Sequence, residues 1–173
     1  MSDAGSISPT HRLQELGDRQ AIADLIARLG IMLDEKRFDE AASILDDEVT
    51  VKTPGGSAQG REAVAAQARR NHTVRTQHAI SNVLIELDGD RAQARANLIA
   101  TFAPDPGSLL VLNGEQQRDS YLTLGEVYRF AAVRTADGWR LSRIETEPLW
   151  SSQRLSGGAR IAQTGHDAEP AAS

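Results

Sequence analysis

Between Asn71 and Thr76 the spacing of apolar residues changes from about 3.6 to 2, which divides the chain into a helical first part and a stranded second part. Leu13, Leu16, Ile22, Leu25, Ile26, Leu29 and Leu33 recur at helical spacing and predict a long amphipathic first helix. Arg37 to Asp46 predicts a second helix, with Phe38, Ala41, Ala42 and Leu45 on one side. Glu48 to Lys52 alternates as a short strand before the turn Thr53-Pro54-Gly55-Gly56, and Gly60 to Arg70 predicts a third helix. Beyond the change of period, Thr76 to Leu87 and Arg91 to Phe102 alternate around Asp88-Gly89-Asp90. Tyr121 to Arg134 and Trp139 to Trp150 do so around Ala136-Asp137-Gly138. Three helices followed by four long antiparallel strands define an α+β layer arrangement. A twisted sheet of this length needs a cover for its apolar face, and the first helix has the length and stripe to lie across it. The space between becomes a cone or pocket.

A chain of 173 residues with this composition is expected to form one domain, over 12–150, with a flexible N-terminus at 1–11 and a polar tail at 151–173. The connection 103–120 holds Pro104, Pro106 and Gly107 and then Leu109-Leu110-Val111-Leu112; its length predicts a lid, a dimer contact or an extended strand end. The net charge of -5 repels polyphosphates and anionic membrane and leaves no footprint for nucleic acid. Cysteine is absent, which excludes disulfides, thiolate catalysis and zinc-cysteine sites and makes a cytoplasmic location the expectation. No apolar run approaches the ~20 residues of a membrane span, and Met1 to Thr10 lacks a signal pattern.

Among the residues that carry chemistry, His78 opens an alternating strand in Arg75-Thr76-Gln77-His78. Strand parity groups it with Ile80, Asn82 and Leu84, and an inner wall bearing His78 and Asn82 would orient a ligand among apolar neighbours. Asp34 sits at the edge of the first helix's stripe, where its carboxylate could fix the imidazole tautomer and make His78 a general base for an acidic C–H beside a carbonyl. Glu126 and Tyr128 lie in the otherwise apolar row Leu124, Glu126, Tyr128, Phe130. A carboxylate there predicts a polar pocket, and the phenol could donate to a developing enolate oxygen. His72 and His78 lack a third clustered ligand, so no metal is expected, and no glycine loop for phosphates is present.

The run of landmarks Leu33-Asp34-Glu35-Lys36-Arg37-Phe38, Gly60-Arg61-Glu62-Ala63, Arg75-Thr76-Gln77-His78, the Asp-Gly-Asp hairpin and Asp137-Gly138-Trp139-Arg140-Leu141 resembles a SnoaL-like domain of the nuclear-transport-factor-2-like superfamily. The resemblance is nearest to scytalone dehydratase-like members. It implies a cone-shaped curved antiparallel sheet wrapped by three N-terminal helices around a deep pocket, with His78 as catalytic histidine and Asp34 as its orienting carboxylate. Leu33 and Phe102 stand where those members carry a pocket tyrosine and a second histidine, and Glu126 and Tyr128 fall on two further pocket positions. The resemblance also implies a cofactor-independent dehydratase, isomerase or cyclase for a small aromatic or polyketide-like carbonyl compound, working as a homodimer. The alternative is a non-catalytic small-molecule-binding or assembly domain of the same fold.

Overall fold

Ser8 starts the first helix: its hydroxyl accepts the His11 N–H at 3.2 Å, and Pro9 takes a first-turn position that needs no donor. The resulting α1 (Pro9–Asp34) reaches into the stretch 1–11 expected to be flexible. The computed structural model of the chain describes residues 8–103, 109–112, 115–118 and 121–154. The packed stripe of α1 is Ile22, Leu25, Ile26, Leu29, Met32 and Leu33. Leu13 and Leu16, expected on that stripe, are exposed.

The second helix is shorter than its spacing suggests. A 3₁₀ turn (Phe38–Glu40) leads into α2 (Ala41–Ile44), and Leu45 already begins β1 (Leu45–Thr53). Leu45 pairs with Leu141, so sheet pairing overrides the local helical preference there. A turn joins β1 to β2 (Gly56–Gln59), and α3 (Arg61–Asn71) follows.

The stranded part consists of β3 (Arg75–Asp88), β4 (Arg91–Ala103), β5 (Leu109–Leu112), β6 (Glu115–Arg118), β7 (Tyr121–Thr135) and β8 (Gly138–Arg154). Both expected hairpins form, with Gly89 and Gly138 at φ 58° and 101°, values that suit glycine. One sheet has the order β2-β1-β8-β7-β4-β3 and is curved and unclosed. Its long strands are antiparallel, and the pairing of β1 with β8 is parallel, which makes the sheet mixed. The connection 103–120 carries the separate β5–β6 hairpin; Pro104, Pro106 and Gly107 lie outside the described residues. β8 continues through residues 151–154, where a tail was expected, and the remainder of that tail lies outside the described residues.

Side-chain size decides where space is left. On β4, next to the edge strand β3, Ala92, Ala94, Ala96, Leu98 and Ala100 face inward; the first three are packed in the core, and the short methyl of Ala100 leaves room beside Leu98. On β3 a bulge lies between Ser81 and Leu84, with Asn82 at φ 52°. It moves the inward parity from His78 and Ile80 to Ile85 and Leu87.

Asp18 bolts α1 to the base of the sheet. Its carboxylate accepts from Arg134 Nη1 and Nη2 at 2.9 and 2.7 Å and from Trp139 Nε1 at 3.0 Å. Arg134 also donates to Asp90 at 2.9 Å and lies 4.5 Å from the Trp139 ring centre. The Arg134 hydrogen bonds, aided by Trp139, outweigh burial and hold the Asp18 carboxyl at about 2. Since its folded value lies below the unfolded one, Asp18 contributes stability that is present above pH ~4 and disappears as pH falls toward 2. Asp18→Asn is expected to lower unfolding stability by about 2 kcal/mol at pH 7 and to flatten this acid limb. Urea titrations between pH 7 and 2 measure both; parallel acid limbs in wild type and variant would contradict the assignment.

Candidate active site

Gly30 lets α1 come close to β3. A Cβ at this position would sit 3.3 Å from Ile80 Cδ1 and 3.8 Å from His78 Cβ. One helical turn later Asp34 ends the helix, and the chain leaves through Lys36 at φ 60°. Asp34 therefore reaches β3 directly. Its Oδ1 accepts from His78 Nδ1 at 2.6 Å and from the Thr76 hydroxyl at 3.0 Å, and its Oδ2 accepts the His78 backbone N–H at 2.9 Å. Lys36 Nζ donates to Thr76 Oγ1 at 3.0 Å and to the Leu33 carbonyl at 3.2 Å. Burial lowers the Lys36 ammonium, and the neighbouring Asp34 charge opposes that.

The His78 side chain is 3% exposed and Asp34 is 23% exposed. With Nδ1–H donated to the carboxylate, the ring is fixed as one tautomer and Nε2 is the nitrogen left with a lone pair. His78 lines a cavity of about 330 Å³ together with His72, Phe102, Leu98, Ala100, Glu126, Tyr128 and Thr146. A narrower space of about 80 Å³ adjoins it through His72 and Tyr128 and includes Leu33 and Gln67. The combined size suits a small organic molecule.

His72 lies beside His78, with ring centres 5.3 Å apart, and 5.9 Å from the Phe102 ring. Its Nδ1 donates to the Ala68 carbonyl at 2.9 Å, which leaves Nε2 as an acceptor. Burial pushes the His72 imidazole down to about 4, partly opposed by that hydrogen bond, so this second imidazole is neutral at pH 7. Burial also raises the Glu126 carboxyl, against the neighbouring Thr146 hydroxyl, and raises the Tyr128 phenol, where the Glu126 charge adds to the effect.

Of the residues expected at the site, His78, Glu126, Tyr128, Phe102 and Leu33 line these two adjoining spaces, and Asp34 stands behind them, joined through His78. Asn82 does not: the β3 bulge turns it outward, where it is exposed. Spacing alone missed His72, Lys36, Thr76 and Thr146. Thr76 carried a usable signal, because it shares strand parity with His78. His72 sits at the end of α3, and only the tertiary packing of α3 over the sheet turns it inward. Among the described residues no group of three His, Cys, Asp or Glu side chains is placed to hold a metal ion.

The SnoaL-like domain family model matches residues 14–145. No match was found among curated proteins. Among solved structures, an NTF2-like protein with a cystatin-like fold from Novosphingobium aromaticivorans is 25% identical, with a TM-score of 0.62 over 84% of this chain and 92% of that one. A candidate scytalone dehydratase from the same organism is 20% identical, with a TM-score of 0.67 over 90% and 97% of the two chains. A hexachlorocyclohexane dehydrochlorinase, LinA type 2, is also 20% identical, with a TM-score of 0.71 over 89% and 99%. These likenesses show an NTF2-like fold.

Because the folded His72 value lies below that of a free imidazole (~6.5), the unfolded chain takes the proton first, and stability falls as pH drops from about 6.5 toward 4. His72→Phe keeps an aromatic ring against Phe102 but removes the titration. Urea unfolding at pH 7 and pH 5 is expected to show an acid loss about 2 kcal/mol smaller in the variant than in wild type. Equal losses would mean that His72 is not held neutral.

Proposed function

Because the chain belongs to the SnoaL-like domain family and its cavity is lined by a histidine whose Nδ1 is engaged by a carboxylate, we propose that it is a cofactor-independent acid–base enzyme. The reaction is of dehydratase, isomerase or cyclase type, on a small, aromatic or polyketide-like carbonyl compound. The observation that carries this reading is the 2.6 Å hydrogen bond between His78 Nδ1 and Asp34 Oδ1 at the wall of a 330 Å³ cavity.

In this reading His78 Nε2 removes a proton from carbon next to a carbonyl. Asp34 holds the ring in one orientation and stabilises the imidazolium that forms, as an orienting carboxylate does for a histidine base. Thr76 and the His78 backbone N–H fix the carboxylate in turn, so it cannot rotate away as charge develops. The apolar walls, Leu98, Ala100 and Phe102, exclude water from the charged intermediate. Support comes also from the shared fold of the candidate scytalone dehydratase and the dehydrochlorinase, both named for eliminations.

Binding without chemistry is the second reading, and the apolar Phe102 and Leu33 favour it. A homodimer and a cytoplasmic setting belong to the same proposal. The exposed Leu84, Ile99, Tyr121 and Trp150 support the former, and the absence of cysteine the latter. No helix among the described residues is long and apolar enough to cross a membrane.

The test is hydrogen–deuterium exchange at the α-carbon of 1-indanone in D₂O, followed by proton NMR. Wild type is expected to accelerate exchange, His78→Gln to lose about 10²- to 10⁴-fold of that acceleration, and Asp34→Asn to lose a smaller part. Binding of 1-indanone with no exchange above the buffer rate would favour the binding domain.

A further inference from the structure

On β7, Leu124, Glu126, Tyr128 and Phe130 face the interior, and Glu126 is the acid in that row. It is only 6% exposed, and its Oε1 has no hydrogen-bond partner among the described residues. The Thr146 hydroxyl, on the cavity wall of β8, is close enough to favour the ionised carboxyl slightly, but it makes no hydrogen bond of ordinary geometry to it. Among the described residues no lysine or arginine lines this cavity, and its titratable side chains are His72, His78, Tyr128 and Glu126. A carboxyl in such surroundings stays protonated or meets a ligand, because an unpaired buried charge is costly. Burial accordingly raises its affinity for the proton.

Unbroken alternation along β7 turns Glu126 inward with Leu124 and Tyr128; the neighbouring bulge lies on β8, at Leu149, and Trp150 beside it covers Gly125 so closely that a Cβ there would collide with the indole. His78 and Glu126 do not share one end of the cavity. His78 pairs with Ala100, and Ala100 with Leu124, one inward position before Glu126. Their backbones are thus two strand spacings (~10 Å) and two residues (~7 Å) apart. Both side chains point into the same cavity from these positions, so a ring-sized molecule bound there would lie between them.

We propose that Glu126 is the general acid that protonates an oxygen leaving group while His78 takes the proton from carbon. The proposal rests on the acid–base reading above and names its substrate class: a ring-sized carbonyl compound carrying a hydroxyl, rather than a halide, at the position that eliminates. The C–H electron pair forms the new C=C bond. The C–O bond breaks with its pair on oxygen, and the Glu126 proton goes to that oxygen to release water. His78 is left as imidazolium and Glu126 as carboxylate, and one proton returned from the first to the second restores both, with no change of oxidation state. Thr146 offers a hydrogen bond to the departing oxygen. A halide would leave without a proton and would have no use for a buried acid.

The experiment is carbon-13 NMR of glutamate-labelled full-length protein, with the Glu126 carboxyl assigned by Glu126→Gln. A protonated Glu126 at pH 7 is expected, and an ionised one would overturn the proposal. Titrations with cyclohexanol and chlorocyclohexane then probe the subsite. Wild type is expected to bind the alcohol about tenfold more tightly, a preference lost in Glu126→Leu. Equal affinity for the two, including none for either, would overturn it. His78→Gln separates the two readings: it removes the indanone exchange but is expected to leave the Glu126 proton and the alcohol preference in place. Failure of one assay without the other identifies which reading is wrong.

Discussion

The end of α1 is fastened to β3 by one carboxylate, and the rest of the site is arranged around that attachment. Asp34 accepts three hydrogen bonds from β3, two from polar side chains and one from the backbone of the residue whose ring it also orients. Hydrogen bonds to a charged acceptor count for more than neutral ones, and three of them leave the carboxylate little freedom to turn away from β3. The attachment needs the helix to lie close, which Gly30 permits opposite Ile80. The same contact therefore positions the helix over the sheet and sets the histidine's tautomer.

Two acids in this molecule show how environment assigns different work to the same functional group. Asp18 is enclosed by Arg134 and Trp139, gives up its proton readily and holds two distant parts of the chain together. Glu126, equally buried, has neither a lysine or arginine nor a full set of donors around it among the described residues, and it faces space. Natural cores seldom tolerate such an acid, since each buried polar atom without a partner costs stability. The folded chain carries that cost at the cavity wall and recovers it through the apolar packing of α1 and the strands.

The order of helices and hairpins was legible because each long strand keeps its period and each hairpin has its glycine: Gly89 and Gly138 mark the turns unambiguously. The same local rules failed wherever pairing between distant segments decides. Leu45 reads as the last apolar residue of a helix but is a strand residue because Leu141 lies beside it. Asn82 reads as inward because period 2 carries no warning of an inserted residue, and the bulge reverses the faces within three positions. At the site, His78 and Asp34 stood out through the landmark run and the strand parity. His72 did not, since nothing in the sequence around Asn71-His72-Thr73 says which way the end of α3 turns. Asp18 and Arg134, separated by 116 residues, meet only in the folded sheet.

The row of alanines on β4 has a consequence for how such a chain diversifies. Each methyl on this strand occupies a position where valine, leucine or phenylalanine would fit the strand's preference equally well. Enlarging Ala100, next to Leu98 on the cavity wall, would remove ligand volume without touching the hydrogen bonds that fix His78. The size of the cavity and the hydrogen bonds that orient His78 thus depend on different strands. Selection can alter the first while conserving the second.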